Sequence, residues 1–353
     1  MSERASIADI KALLQRDVEG LARRLAPDGY RSGRYWIARN PTRDDHKPGS
    51  FWIILSGTSP GVWKEEASGE TGDVIAFVKY CNRFERLADA LDWARNWLGL
   101  AHGPVNPKVL ELARRDAANR KANDEKRAAE ELGLNRRRAH ALWLDGTKDI
   151  RGTAVEAYLE HRGIDLGALP RLPGAIRALA SHRHRESETT WPCMVAVMSS
   201  PGLPFTAVHR TWLARDGRGK APVTPNKKIW PSFNGAAIHL ARGETGLPAE
   251  DAVKRGMVDR ILLCEGIEDG LSVAMCAPEL RVWAVGTLGN LAHVKVPDCC
   301  HEIIVAADND WGKPQAEALL RRGLEALAAQ RRPVRVARAA VGKDFNDQLQ
   351  GAA

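Results

Sequence analysis

The sequence lacks the cysteine spacing of a metal site or a disulfide framework. Its six cysteines include no Cys-x-x-Cys pair, and two of them, Cys299 and Cys300, are adjacent. Paired cysteines at short, regular spacing are typical of structural zinc sites and of disulfide-stapled domains. We therefore expect reduced thiols, no structural zinc and no disulfide framework.

Long apolar runs and nucleotide-motor loops are also missing. No run approaches the ~18 to 20 apolar residues that a bilayer span needs, and residues 1–10 lack the basic, apolar and small-residue succession of a signal peptide. No Gly-x-x-x-x-Gly-Lys-[Ser/Thr] loop is present, so the sequence contains no motor of that type. These absences predict a cytoplasmic protein with no membrane partner.

The composition is that of a globular chain with an uneven charge distribution. The 353 residues are 44% hydrophobic and 27% charged, and at roughly 100 to 200 residues per domain they predict two or three domains. Residues 256–353 contain 11 basic and 13 acidic residues, a net charge of −2, whereas the upstream residues carry +10. This separation suits a protein that holds a polyanion on one surface and metal ions on another. On composition alone, ordinary surface charge explains it equally well.

Two segments precede the middle of the chain. Residues 1–105 predict a small α+β domain, with a helix over residues 7–25, strands at 35–37 and 51–55, and helices at 74–80 and 87–98. Residues 106–149 are rich in Ala, Arg, Lys, Glu and Asp, which favours a charged helical linker.

Residues 150–255 predict a mixed α+β subdomain with a basic surface. Thr153 can cap a helix that ends before Gly163, and strands are expected at 194–198 and 205–213. Residues 205–230 contain six basic residues and one acidic residue, interleaved with Trp212 and Trp230. Cations pair with phosphates and aromatic rings stack on bases, so this stretch is a candidate nucleic-acid surface.

Residues 256–353 alternate between short apolar strands and helices. Strands are predicted at 260–264, 281–285, 302–307 and 334–338, with helices at 270–277 and 315–329. Nearly all-apolar strands separated by helices indicate a parallel sheet covered on both faces. The fold class is therefore multidomain α/β, ending in a doubly wound parallel sheet.

Carboxylates recur directly after these strands, where ligands bind in such sheets. The first strand is followed by Glu265 and Asp269, and the third by Asp308 and Asp310. The fourth leads to the last motif, which contains Lys343, Asp344, Asn346 and Asp347. A lone Asp-x-Asp is more often a turn or a helix cap than a metal site, but several such motifs at one edge favour bound Mg²⁺ or Mn²⁺ over zinc.

The combined motifs resemble the Toprim domain of bacterial-type primases, topoisomerases and some nucleases, and especially its phage and plasmid primase versions. The resemblance implies that Glu265, Asp308 and Asp310 are catalytic, metal-binding acids and that Asp269 also binds metal. The turn at Gly286 after the second strand is similar to the glycine-containing turn of the family.

Two upstream segments resemble other parts of bacterial-type primases. Residues 192–240 are similar to the basic subdomain before Toprim, which implies nucleotide or template contacts for Arg210, Lys220, Lys227 and Lys228. Residues 35–99 resemble the primase zinc ribbon, but no Cys or His stands near Asn40 or Trp63. We expect a zinc-ribbon-like domain that folds without zinc.

The resemblance implies a DNA primase-like, template-directed nucleotidyltransferase of mobile-element type. Its expected partners are single-stranded DNA and nucleoside triphosphates, with a replicative helicase as a separate protein. Two alternatives stay open: a metal-dependent nuclease that uses the same acids, and a non-catalytic accessory protein that binds single-stranded DNA. A topoisomerase is disfavoured because all four tyrosines lie in the first half of the chain.

Overall fold

The computed structural model describes residues 5–43, 48–57, 59–100, 107–309 and 313–351. The chain divides into two compact units, Met1–Glu130 and Glu131–Ala353, and the boundary between them falls inside the longest helix. Each unit has a hydrophobic core of its own.

The first unit contains a five-stranded antiparallel sheet in the order β1-β2-β3-β4-β5. Side chains alternate across its short strands, so that Trp36, Phe51 and Ile53 point into the core while their neighbours are more exposed. The elements are α1 Ile7–Leu14, α2 Val18–Leu25, β1 Gly29–Ser32, β2 Tyr35–Ala38, β3 Phe51–Ile54, β4 Trp63–Glu65, β5 Thr71–Gly72, α3 Val74–Cys81 and α4 Leu87–Trp97.

The single helix predicted over residues 7–25 is wrong, because the chain breaks between α1 and α2. Asp17 caps the second helix, and its Oδ1 accepts a hydrogen bond from the Gly20 amide at 2.8 Å. An acidic N-cap satisfies an amide that the helix itself leaves free, so a new helix begins where the apolar period continues.

A buried hydrogen-bond network occupies the region where the zinc-ribbon resemblance lacks metal ligands. Asn40 Nδ2 donates to Glu65 Oε2 at 2.7 Å and to the Tyr80 hydroxyl at 2.8 Å. The Glu65 carboxylate is fully buried and also accepts the Ala67 amide at 3.0 Å. The expectation that this domain folds without zinc stays a prediction.

The helix predicted within residues 106–149 is present as α5, Pro107–Asp145, and its role as a linker stays a prediction. Near its start, the Arg114 guanidinium donates to both oxygens of Asp9, at 2.6 and 2.8 Å. Asp9 is buried, and this pairing holds the pKa of its carboxyl well below the usual range.

The second unit contains two sheets. The antiparallel sheet has the order β6-β7-β8-β9, and the other has the order β10-β12-β11-β13-β14. The elements are α6 Ala154–His161, β6 Ile176–Arg183, β7 Thr190–Ser200, β8 Leu203–Trp212, β9 Lys227–Trp230, β10 Ile238–Arg242, α7 Ala249–Lys254, β11 Asp259–Cys264, α8 Ile267–Cys276, β12 Arg281–Ala284, a 3₁₀ helix Leu288–His293, β13 Cys300–Ala307, α9 Pro314–Ala328, β14 Val334–Arg338 and α10 Phe345–Leu349.

The four strands predicted in residues 256–353 are confirmed, and they are mutually parallel. Helix α8 packs on one face of this sheet, whereas α9 and the 3₁₀ helix pack on the other. The sheet also includes β10, which lies upstream of the predicted start at residue 256 and pairs antiparallel with β12. β10 therefore forms one edge of the sheet.

Candidate active site

The carboxyl ends of β11 and β13 bring two predicted acids together. Glu265 directly follows β11 and Asp308 directly follows β13, and these strands are parallel neighbours. Both residues line one small pocket of about 40 Å³, together with Arg338 of β14. Asp310, the third acid expected to be catalytic, lies outside the described residues.

Gly286 shapes the turn beside these acids. Its backbone amide donates to the Glu265 carbonyl at 3.0 Å, which ties the end of β12 to the end of β11. Its φ of +82° favours glycine, and a Cβ here would lie 2.7 Å from the Ile229 side chain. The glycine-containing turn expected from the sequence therefore has a steric reason.

Asp269 lies in the first turn of α8, beside Glu265 and Asp308, and we call these three acids the acidic edge of the sheet. Its Oδ1 accepts the Asn346 amide at 3.1 Å. Burial raises the pKa of Asp269 to about 7, and the nearby carboxylates of Asp344, Asp308 and Glu268 add to the rise. Such crowding of like charges is what a bound cation would relieve.

The last motif fixes the end of β13 from the side. Lys343 Nζ lies 3.1 Å from Asp308 Oδ2. Asn309 donates its backbone amide to the Lys343 carbonyl at 2.7 Å and its side-chain amide to the Ala339 and Gly342 carbonyls at 3.0 Å. These bonds hold Asp308 at the sheet edge.

The other residues of that motif divide between structure and site. Asp344 caps α10 by accepting the Asp347 amide at 2.8 Å, and its charge reaches Asp269. The Asn346 side chain is fully buried and donates to the Arg162 carbonyl at 2.8 Å and to Ser272 Oγ at 2.9 Å. Asn346 therefore joins three segments through its side-chain amide.

Sequence reasoning missed Glu268, which anchors Lys220, in the loop between β8 and β9, to this edge. Lys220 Nζ lies 3.0 Å from Glu268 Oε1, and the Tyr158 hydroxyl donates to the same oxygen at 2.5 Å. Burial alone would raise the pKa of Glu268, but the Lys220 ammonium and the Tyr158 hydroxyl outweigh it and hold the pKa at about 2. Lys220 thereby comes close to the acidic edge.

The predicted basic residues are distributed over both faces of β8 and β9. His209, Ile229 and Lys227 share one face of β8 and β9. Ile229 on that face lies beside Gly286 at the end of β12. Arg210 and Lys228 are cross-strand neighbours on the opposite face. The structure thus brings Lys220 and Lys227 toward the acids and does not bring Arg210 or Lys228 there.

Arg210 lies in an aromatic setting. Its guanidinium carbon lies 5.3 Å from the Trp212 ring centroid and 6.0 Å from that of Trp230. Its Nε is buried and has no hydrogen-bond partner among the residues that the structure describes, and burial lowers the pKa of Arg210. Asp216, the single acid of residues 205–230, does not pair with Arg210; its Oδ1 accepts the Arg218 backbone amide at 3.0 Å.

The donors at the acidic edge suit a hard cation. They are the carboxylate oxygens of Glu265, Asp308 and Asp269, the ligand type that such a cation prefers. In the described parts of the chain, no three His, Cys, Asp or Glu side chains are already close enough to hold a metal ion. The chemistry of the donor set fits Mg²⁺ or Mn²⁺, and Asp310 would have to complete the group.

Family comparisons identify two segments of the chain. Residues 260–353 match the Toprim domain, and residues 134–240 match a domain of unknown function, DUF7146. No curated protein matches the chain. None of the helices in the described ranges has both the length and the apolar character to cross a membrane.

Several solved structures resemble this chain at low identity. The zinc-binding and RNA polymerase domains of the Aquifex aeolicus primase are 15% identical, with 97% of this chain and 82% of that chain covered and a TM-score of 0.38. The primase fragment of the bacteriophage T7 primase-helicase protein is 19% identical, with coverage of 46% and 59% and a TM-score of 0.33. A DnaG primase catalytic domain bound to single-stranded DNA is 12% identical, with coverage of 63% and 76% and a TM-score of 0.41.

Proposed function

We propose that this Toprim-containing chain is a primase-like, template-directed nucleotidyltransferase that makes primers on single-stranded DNA. One observation carries the proposal: within the segment that matches Toprim, Glu265 and Asp308 line the same pocket at the carboxyl edge of the sheet. Asp269 and Asp344 add negative charge beside them. An edge of this kind suits chemistry on phosphates, whose negative charge must be neutralised.

Divalent metal is the expected cofactor, as Mg²⁺ or Mn²⁺ and not zinc. Glu265, Asp308 and Asp310 would hold it, with Asp269 as a further acid. Bound there, the metal supplies positive charge that activates a 3′-hydroxyl and neutralises the leaving pyrophosphate. The Lys343 ammonium, 3.1 Å from Asp308 Oδ2, orients that carboxylate.

Two lysines, Lys220 and Lys227, would position the nucleotide. Lys220 is held near the acids by Glu268, yet about a third of its side chain is exposed, so its ammonium can still meet a phosphate. Lys227 lies on the same face of the strand pair. We assign these two lysines to the phosphates of the incoming nucleotide.

The opposite face suits the template strand. Arg210 lies between two tryptophan rings, with Lys228 beside it across the strand pair. Trp212 is buried and Trp230 is partly exposed, so this face offers cations to the DNA backbone and the Trp230 ring to a base, without regard to sequence. The proposed partners are therefore single-stranded DNA and nucleoside triphosphates, in the cytoplasm, with a separate helicase. An origin in a phage, a plasmid or another mobile element is part of the same proposal.

An incorporation assay with the full chain tests the proposal. Labelled NTPs or dNTPs are supplied with unlabelled single-stranded DNA, with and without Mg²⁺, and a parallel reaction contains end-labelled DNA. The proposal expects labelled products that grow only with metal and template. Metal-dependent shortening of the end-labelled strand without incorporation would indicate a nuclease instead, and DNA binding without either reaction would indicate an accessory protein.

A further inference from the structure

A second concave surface lies at the end of the same sheet that is remote from the acids. It is a groove of about 1150 Å³ that follows β10 and the start of β12. The acids stand at the carboxyl ends of the parallel strands, whereas Arg281 begins β12 and Arg242 ends the antiparallel β10. The groove is therefore separate from the candidate active site.

The groove exposes an unpaired strand edge. β10 pairs with β12 on one side only, and on the other side Ala237 makes a single bridge with Ser199 before the strand begins. Across the described residues, the backbone of residues 239–241 makes no hydrogen bond beyond its pairing with β12. A free edge of this kind offers amides and carbonyls to an added strand.

Uncompensated positive charge borders that edge. Neither Arg171 nor Arg242 has a carboxylate within ion-pair distance among the described residues, and Arg281 is already paired with Asp259. Burial lowers the pKa of Arg242, and the neighbouring guanidiniums of Arg171 and Arg281 lower it further. Three further cations line the groove, namely Lys148, Lys254 and Lys295. Two acids, Glu250 and Asp298, also line the groove, and Lys254 pairs with Asp251 at 3.8 Å. The cations still outnumber the acids, which favours an anionic occupant.

The walls favour a peptide over a nucleic acid. They are aliphatic for the most part and include Leu169, Leu172, Pro248, Val253 and Val296. Of the aromatic rings at the groove, that of Trp143 is covered by a guanidinium 3.9 Å away, and His239 stacks on Trp283 at 4.0 Å. Proteins that bind single strands rely on open aromatic platforms, whereas aliphatic pockets beside a strand edge accept alternate side chains of an extended peptide.

We propose that this groove binds an extended, acidic segment of a partner protein, which pairs with β10 as an added strand. Carboxylates of the segment meet Arg171 and Arg242, and its apolar side chains enter the aliphatic walls. A second copy of this chain is a poor occupant, because the basic rims of the two copies would repel each other. The proposal does not depend on the catalytic assignment.

The test uses the full chain and two labelled synthetic peptides of about ten residues, a common strand length. One alternates Asp with Val, and the other has Lys in place of Asp. Binding is followed by fluorescence anisotropy, and backbone protection by hydrogen exchange. We expect the Asp peptide alone to bind and to slow exchange in residues 238–242.

Charge reversal separates this site from general basicity. The double variant Arg171→Glu and Arg242→Glu should lower the affinity for the Asp peptide by at least about tenfold. The double variant Arg321→Glu and Arg322→Glu, on the exposed face of α9, makes the same change in net charge and should leave that affinity unchanged.

Three results would overturn the proposal. The first is equal loss of peptide affinity in the two double variants. The second is peptide binding without protection of β10. The third is displacement of the peptide by oligo(dT) in a manner that depends on Arg171 and Arg242, which would make the groove a nucleic-acid site.

Discussion

Replacing Glu65 by Gln should loosen the first unit although the side chain keeps its size. The carboxylate is fully buried, and both of its oxygens accept: Oε2 from Asn40 at 2.7 Å, and Oε1 from the Ala67 amide at 3.0 Å, with Arg43 at 3.4 Å. A glutamine must turn its NH₂ group toward one of these donors.

The magnitude follows from the bonds that are lost. One charge-assisted hydrogen bond is worth about 1.5 to 3 kcal/mol, and one buried donor left unpaired costs about 1 to 3 kcal/mol. A total of about 3 kcal/mol corresponds to roughly a hundredfold increase in the open population of β3 and β4. Amide exchange in residues 51–54 and 63–65 of the full chain should quicken by that factor.

The adjacent residue gives a matched control. Glu66 is exposed and bonds to the exposed Lys64 and to Trp52, so Glu66→Gln should change exchange by no more than about twofold. A chelator should leave the exchange of the wild type unaltered, and elemental analysis should find no stoichiometric zinc. Equal exchange in the two variants, or faster exchange of the wild type after chelation, would refute this reasoning.

Further predictions concern the second unit. Burial and the Arg281 charge lower the pKa of His239 to about 4. The unfolded chain therefore takes up a proton at higher pH than the folded chain, and the free energy of unfolding falls as the pH drops from about 6.5 toward 4. His239→Phe, which keeps the stacking on Trp283, should reduce that fall when unfolding is measured across this pH range. Lys220→Ala should raise the KM for nucleotides, and equal KM values for variant and wild type would contradict its assignment. Arg210→Ala and Lys228→Ala should instead weaken the binding of single-stranded DNA. In a titration of affinity against salt, the slope should fall by roughly 0.7 per lost phosphate contact. Unchanged slopes would mean that this face does not contact the template.

Local sequence patterns were sufficient to predict most of the strands and helices of residues 256–353. The alternation of apolar strands and helices is a short-range signal, and the parallel sheet follows because such strands must be covered on both faces. β10 was not predicted as part of this sheet, because it has five residues and its partner β12 lies about 40 residues further along the chain. A pairing of that kind leaves no periodic mark in the sequence.

The site was predictable where motifs end strands and unpredictable where distant charges meet. Glu265 and Asp308 were found because each directly follows an apolar run. Glu268 was missed because acids are common in the first turn of any helix, and its partner Lys220 is 48 residues away. The two faces of β8 could be read from its period of two, but which face meets the acids depends on partners that only the fold brings together.

Asp308 gives the most direct test of the central claim, that the acidic edge performs nucleotide transfer. Primer synthesis in Mg²⁺ and affinity for single-stranded DNA are measured on the same preparation of Asp308→Asn, with Asp298→Asn as the control because Asp298 is an exposed acid elsewhere in this unit. The account predicts that Asp308→Asn lowers synthesis by at least about a hundredfold while DNA affinity and folding stay near those of the wild type. Near wild-type synthesis by Asp308→Asn would contradict it.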